Sequence, residues 1–263
     1  MSVRGTERNA VLYSKVNDFQ RQCGKALAST AGIKPGDKIL DMGCGTGELT
    51  VILAKMVDKE TPVVGVDPDL ERIKLATQQY TGDHQNIKFF PGDSLSQFLH
   101  FDKQYYDVHF SNFVFQWLNA DEKEKFLSTA FRVLKPGGKI AILSHEGDNA
   151  AIMEQVLKYH DKTENTLKKT PLHFVSKSTT EALLKNAGFS LLHSEYFHYP
   201  YTFPSAEAFL ACFYGSDYYN ATNISETKKA ELIERIINKD GSVTYFDPTI
   251  YQIVAEKPEL WRL

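Results

Sequence analysis

A strand that runs straight into a loop with glycine at every second position constrains this chain more than any other feature: Ile39-Leu40-Asp41-Met42-Gly43-Cys44-Gly45-Thr46-Gly47-Glu48-Leu49. Glycine takes positive φ without a Cβ penalty, so such a loop turns tightly and lets a ligand approach the backbone before a helix begins. The dinucleotide fingerprint Gly-x-Gly-x-x-Gly is not met, because the sixth position counted from Gly43 is Glu48. A carboxylate at the helix start repels pyrophosphate from the helix N-terminus. The loop therefore suits a nucleotide-like cofactor that lacks phosphate.

From Lys38 onward, short apolar runs alternate with amphipathic stretches, the pattern of βαβ units and a mainly parallel sheet. Strands are predicted at Lys38–Met42, Val63–Asp67, Ile87–Pro91, Tyr106–Ser111 and Gly138–Ser144, with helices over Glu48–Val57, Leu70–Tyr80 and Glu122–Val133. Lys135-Pro136-Gly137-Gly138 stops the last helix and turns the chain into the fifth strand. Beyond Ser144 the rhythm loosens: Glu146–Thr170 reads as polar helix, Ser178–Asn186 as a short helix closed by Gly188, and Phe189–Tyr199 as a strand. Helices over Ser205–Phe213 and Glu226–Ile237 precede a last strand at Thr249–Ala255, which suggests an antiparallel closing hairpin. The 263 residues suit a single domain, with residues 1–30, 145–176 and 200–246 laid over the sheet as a cover.

The second strand ends Val64-Gly65-Val66-Asp67, about 20 residues past the loop, where an acidic side chain accepts both hydroxyls of a ribose. The third ends Phe90-Pro91-Gly92-Asp93-Ser94 and offers a carboxylate to an exocyclic amine. Asp41, Asp67 and Asp93 thus stand at the carboxyl ends of three successive strands, the edge where open α/β sheets bind ligands. Taken singly, each also fits a helix N-cap.

This arrangement resembles the class I S-adenosylmethionine (SAM) dependent methyltransferases over roughly residues 30–145. Asp41-Met42-Gly43-Cys44-Gly45-Thr46-Gly47 is similar to their first motif, Asp67 to their ribose ligand, Asp93-Ser94 to their adenine contact, and Leu134-Lys135-Pro136-Gly137-Gly138-Lys139 to their loop before the fifth strand. The resemblance implies a Rossmann-like, doubly wound, seven-stranded mostly parallel sheet with an antiparallel last strand and a helical substrate cover. It places the SAM-binding core at about 30–145 plus 178–199 and 247–257. The implied cofactor set is completed by Cys44 in the loop, Pro68 after Asp67, and Asn112 at the end of the fourth strand.

The acceptor must be read from the site rather than from the fold. After the fourth strand, Asn112 is followed by Phe113 and Val114, so the Asp/Asn-Pro-Pro-aromatic tetrad that holds a flipped base is missing. Leu12-Tyr13-Ser14-Lys15-Val16-Asn17-Asp18-Phe19-Gln20-Arg21 near the N-terminus, together with Phe115-Gln116-Trp117, resembles the juvenile hormone acid methyltransferases. That likeness implies that Tyr13 closes over the cofactor while Gln20 and Trp117 hold a substrate carboxylate. A carboxylic acid is already an anion at pH 7 and needs aim rather than a base. The neutral N–H donors of Gln20 and Trp117 would supply that aim without overstabilising a charge that vanishes in the transition state. Orientation of this kind is worth ~7–11 kcal/mol in favourable cases. The aromatic residues of the cover, among them Phe19, Phe113, Phe213 and Tyr214, suit an apolar acid such as a fatty or isoprenoid one, or else simply form the core of the cover.

His145, just past the fifth strand, is the candidate base if the acceptor is an amine or a phenol, which must shed a proton. A SAM-binding module without turnover is the third reading. No Asp/His cluster argues for a metal. With 30 Lys+Arg against 33 Asp+Glu, the net charge of −3 gives no general attraction for nucleic acid or anionic lipid. The expected partner is a small-molecule substrate, with the oligomeric state open. Three scattered cysteines fit a reducing compartment, and neither a secretory h-region nor a run of ~20 apolar residues is present, so the expected address is cytoplasmic.

Overall fold

The computed structural model describes residues 6–95, 97–147, 150–159, 172–215 and 225–259. Two helices open the chain, α1 (Glu7–Val16) and α2 (Asp18–Ala31). The Thr6 side chain caps the first by accepting from Asn9 N–H, and Gly32 ends the second in the left-handed conformation at φ 62°. The alternating core follows as β1 (Ile39–Met42), α3 (Glu48–Ala54), β2 (Val63–Asp67), α4 (Leu70–Tyr80), β3 (Ile87–Pro91), β4 (Tyr106–Asn112), a 3₁₀ turn at Phe115–Trp117, α5 (Ala120–Val133) and β5 (Leu134–His145). After it come α6 (Ala151–Tyr159), α7 (Lys177–Asn186), β6 (Ser190–Tyr196), β7 (Tyr201–Phe203), α8 (Ala206–Gly215), α9 (Glu226–Ile236), β8 (Val243–Tyr245) and β9 (Ile250–Glu256).

Seven strands form one sheet in the order β3-β2-β1-β4-β5-β9-β6, and β9 runs antiparallel to both of its neighbours. The expected doubly wound, mostly parallel architecture is therefore the observed one. Side chains alternate across each strand. Ile39, Val63, Val108 and Phe110 join the core on the side of α2 and α3, while Leu40, Val64 and Ile140 join the core with Phe126 and Ala130 of α5. Burial on both faces explains the apolar runs at Val63–Val66 of β2 and Ile140–Leu143 of β5.

Two features depart from the sequence reading. Pairing of β5 begins at Leu134 opposite Tyr106, and the register slips before Val108 meets Lys139, so Lys135–Gly138 is an irregular strand start rather than a free turn. A separate two-stranded sheet, β7 with β8, pairs Phe203 with Val243. Its aromatic residues pack with α2, Phe19 lying 5.2 Å from Tyr245 and 6.3 Å from Phe203 between ring centroids. Of the polar helix expected over Glu146–Thr170, α6 is found within Ala151–Tyr159, and residues 160–171 lie outside the described residues. Among the described residues, no helix is long and apolar enough to cross a membrane.

His109, in the middle of β4 between Leu40 and Ile140, is completely buried with neither ring nitrogen hydrogen-bonded. Burial pushes its pKa down to about 3, so the folded protein keeps the ring neutral. The unfolded chain binds a proton below the ordinary value of about 6.5, so stability is full above that pH and declines as pH falls from there toward 3. The loss over that window is on the order of a few kcal/mol. His109→Leu removes this proton linkage, and the urea midpoint is expected to be higher at pH 5 and less dependent on pH between 6.5 and 4.

Candidate functional site

The glycine loop turns because three of its residues have positive φ, with Gly43 at 84°, Gly45 at 57° and Gly47 at 89°. At Gly43 there is no room for anything larger, since a Cβ would stand 2.1 Å from Val114 Cγ2. The loop is pinned to the neighbouring strand: Gly43 N–H donates to Val66 O at 2.7 Å, and Gly45 N–H donates to Asp67 Oδ2 at 2.9 Å. Asp67 Oδ1 accepts from Asp69 N–H at 2.9 Å. Each carboxylate oxygen keeps a second lone pair for a ribose hydroxyl.

A cavity of about 230 Å³ opens along this edge. Gly43, Asp67, Pro68, Asp93, Ser94 and Asn112 line it, together with Tyr13, so predicted cofactor residues from the ends of four strands meet at one cavity. The Asp93 carboxylate also accepts from Leu95 N–H at 2.8 Å, which fixes the turn after β3. A smaller adjoining recess is lined by Asp41, Cys44, Glu48, Asn17, Arg21 and Asn112. There Asn17 Oδ1, Asn112 Oδ1 and Arg21 Nε are buried without a hydrogen-bond partner. Two orphaned acceptors and a cationic donor fit the ammonium and carboxylate of an amino acid. The paired spaces thus suit an adenosine joined to a zwitterionic amino-acid end, the two halves of SAM.

Several of these contacts come from residues that sequence reasoning missed. Asn17, at the junction of α1 and α2, donates to Glu48 Oε2 at 2.9 Å, and the Thr46 hydroxyl donates to the same oxygen at 2.6 Å. The Glu48 carboxylate that was read as excluding phosphate thus also ties the N-terminal helices to the loop. Tyr13 lies against Gly45, its Cε1 3.1 Å from where a Cβ would be, and the Arg72 guanidinium stacks 4.3 Å from its ring centroid. Burial pushes the Tyr13 hydroxyl up, so it stays protonated. No spacing rule links Asn17 or Arg72 to the loop, which is why sequence alone does not find them.

Asp41 is buried, and the Thr50 hydroxyl donates to its Oδ2 at 2.6 Å. Burial pushes its carboxyl up to about 7, partly offset by that hydrogen bond. The Asp41 carboxyl is therefore protonated below that pH, whereas a cationic ligand is held by the ionised form. SAM is expected to bind about tenfold more weakly at pH 6 than at pH 8, with proton release at the lower pH. Calorimetry in buffers of different ionisation enthalpy measures this, and Asp41→Asn is expected to abolish the difference.

The predicted acceptor residues also reach the main cavity, since Gln20, Trp117 and His145 all line it. Their hydrogen bonding differs from the expectation. The Trp117 indole N–H donates to Phe113 O at 3.1 Å, which occupies the one proton that was to hold a substrate carboxylate. Gln20 Oε1 accepts from Cys212 Sγ at 3.7 Å, and its backbone O accepts from Asn112 Nδ2 at 2.9 Å. His145 is buried, with Nδ1 3.0 Å from Gly147 O. A carbonyl only accepts, so Nδ1 carries the proton and Nε2 is the basic nitrogen of the neutral ring. The buried Gln116 was not foreseen as part of this wall: its amide donates to Phe113 O at 2.9 Å and its Oε1 accepts from Ser144 Oγ at 2.9 Å. Phe19, Phe113, Phe213 and Tyr245 supply an apolar lining, while the side chain of Tyr214 lies outside the described residues. Among the described residues, no group of three His, Cys, Asp or Glu side chains could hold a metal.

Residues 39–138 match the family model of the methyltransferase domain. They form a SAM-dependent methyltransferase domain. SAM is the cofactor of this domain. Curated relatives include the ubiquinone/menaquinone biosynthesis C-methyltransferase of Wigglesworthia glossinidia brevipalpis, 37% identical over 111 residues, or 41% of this chain and 43% of that protein. The demethylmenaquinone methyltransferase of Lactobacillus johnsonii is 34% identical over 137 residues, or 51% of this chain and 53% of that one. The aligned part of the chain spans about half the length of these relatives. A solved structure from Bacillus halodurans, described as a methyltransferase, shares the fold at a TM-score of 0.60 and 21% identity, covering 89% of this chain and 98% of that one. The narrower likeness to juvenile hormone acid methyltransferases rests on Tyr13, Gln20 and Trp117 and gains no support from these relatives.

Proposed function

We propose that the chain transfers the methyl group of SAM to a small, apolar molecule bearing an acidic aromatic or enolic hydroxyl, with His145 as general base. The observation that carries this reading is the placement of His145: it lines the same cavity as Asp67 and Asn112, and its Nδ1 proton is committed to Gly147 O, so that Nε2 is the proton acceptor. Bound SAM supplies a methyl group on a positively charged sulfur. The chain's own work is then to aim the acceptor, exclude water and remove one proton. Phe19, Phe113, Phe213 and Tyr245 offer the apolar surface, from residues 1–30 and 200–246 as well as from the core. The names of the relatives, a C-methyltransferase of ubiquinone and menaquinone biosynthesis and a demethylmenaquinone methyltransferase, support an apolar, quinone-like acceptor.

A carboxylate acceptor is the second reading, favoured by the presence of Gln20 and Trp117 on the same cavity wall. Against it stands the indole N–H, already given to Phe113 O. The two readings separate by experiment. Purified protein is incubated with labelled SAM and matched panels of naphthols, hydroquinones and apolar carboxylic acids, and the rate is followed from pH 5 to 9. The hydroxyl reading expects methylated aromatics and a rate that rises through the imidazole range. Methyl esters formed at a rate flat between pH 6 and 9 would overturn it.

A further inference from the structure

Behind His145, outside the lining of the cavity, lies a buried carboxylate that neither the sequence reading nor the family motifs single out. Asp247 lies in the turn between β8 and β9, with a fully buried side chain. Its Oδ1 accepts from Thr249 N–H at 2.8 Å and from the Thr249 hydroxyl at 2.7 Å. Its Oδ2 accepts no hydrogen bond and stands 3.7 Å from His145 Nδ1. A buried carboxylate is costly unless a positive charge or a donor faces it. Burial pushes the Asp247 carboxyl up, but the His145 N–H facing it and the hydrogen bonds from Thr249 outweigh burial and hold it below the usual range. The other groups around the ring do not compete. Glu146 turns away, its Oε1 accepting from Lys177 N–H at 2.7 Å and from the Tyr196 hydroxyl at 2.9 Å. Phe113 and Phe174 meet the ring edge-on at centroid distances of 5.9 and 4.8 Å.

We infer that Asp247 is the positioning residue of a His145–Asp247 base pair. It keeps the Nδ1 proton on its own side of the ring and stabilises the imidazolium that forms when Nε2 takes the acceptor's hydroxyl proton. This rests on the base role proposed for His145. In the step, the acceptor O–H bond breaks with its electron pair left on oxygen, an N–H bond forms at Nε2, and the ring's positive charge lies beside the carboxylate. The proton passes to water after product leaves.

Asp247→Asn keeps the shape and removes the charge. The expected result is a kcat lower by about tenfold or more, a fraction of the 10²–10⁴ that general-base transfer contributes, with SAM affinity unchanged. The acid limb of the pH–rate profile moves to lower pH, a shift that a merely structural carboxylate would not produce. An unchanged rate and limb overturn the assignment. His145→Gln separates the two claims: full activity there overturns the base reading itself, whereas loss in His145→Gln beside an unaltered Asp247→Asn overturns only the part given to Asp247. ¹⁵N NMR of the unsubstituted protein decides the matter even where Asp247→Asn does not fold. Nδ1 is expected to carry the proton of the neutral ring, and a neutral ring protonated at Nε2 overturns the pair.

Discussion

Asp67→Ala is expected to weaken SAM binding by about 10²- to 10⁴-fold. The carboxylate stands at the end of β2 with two backbone N–H donors already fixing its oxygens, from Gly45 at 2.9 Å and Asp69 at 2.9 Å, so it meets a ribose without having to reorganise. Two charge-assisted hydrogen bonds at about 1.5–3 kcal/mol each give that range. The same substitution strips the loop of the acceptor for Gly45 N–H, so the loop loses a restraint as well as a ligand contact. Asp67→Asn is no gentle control, because its amide would face one of those N–H groups with a donor of its own. Isothermal titration with SAM reads the effect, and thermal unfolding of the variant shows that the domain is still folded. Binding within threefold of the unsubstituted protein would remove Asp67 from the cofactor site.

His145→Gln is expected to lower kcat by about 10²- to 10⁴-fold while leaving SAM affinity unchanged. Glutamine retains polarity and approximate length at the cavity wall but takes up no proton near neutral pH. The loss is expected to shrink with the acidity of the acceptor, because a hydroxyl that is ionised at the assay pH needs no base. A nitro-substituted phenol or naphthol therefore recovers much of the rate, and an unsubstituted one does not. Equal losses for both acceptors would mean that the ring only shapes the cavity.

The cofactor edge was legible because it is local. Asp41 through Gly47 are adjacent in sequence, and Asp67 and Asp93 stand one strand further on at each step, so the order of the strands in the sheet turns sequence intervals into neighbours. The acceptor side is assembled differently. Gln20, His145 and Asp247 come from the second helix, the end of the fifth strand and a late turn, and no periodicity relates them. Trp117 shows how a residue can be placed correctly and its chemistry read wrongly. Its side chain does reach the cavity, but the 3₁₀ turn at Phe115–Trp117 brings Phe113 O within 3.1 Å of the indole N–H. That turn was not readable from the apolar run Phe113–Leu118, which fits a strand continuation equally well. At Lys135–Gly138 the turn signal survives inside a strand: the pairing of β5 with β4 skips from Leu134 to Lys139, and Gly137 turns at φ 77°.

The tie between Asn17 and Glu48 has a bearing on how such a protein diversifies. Gly43, Asp67 and Asp93, proposed to hold the adenosine, lie within residues 39–138, whereas Asn17, Tyr13 and Gln20 precede that stretch and Asp247 follows it. The two parts share a packed core, with Phe19, Leu27 and Ala28 of α2 in one cluster with Ile39 and Val63, and they share the smaller recess through Asn17 and Arg21. Outer helices that keep those few contacts leave the donor's surface in place while the rest of their faces redirect the choice of acceptor.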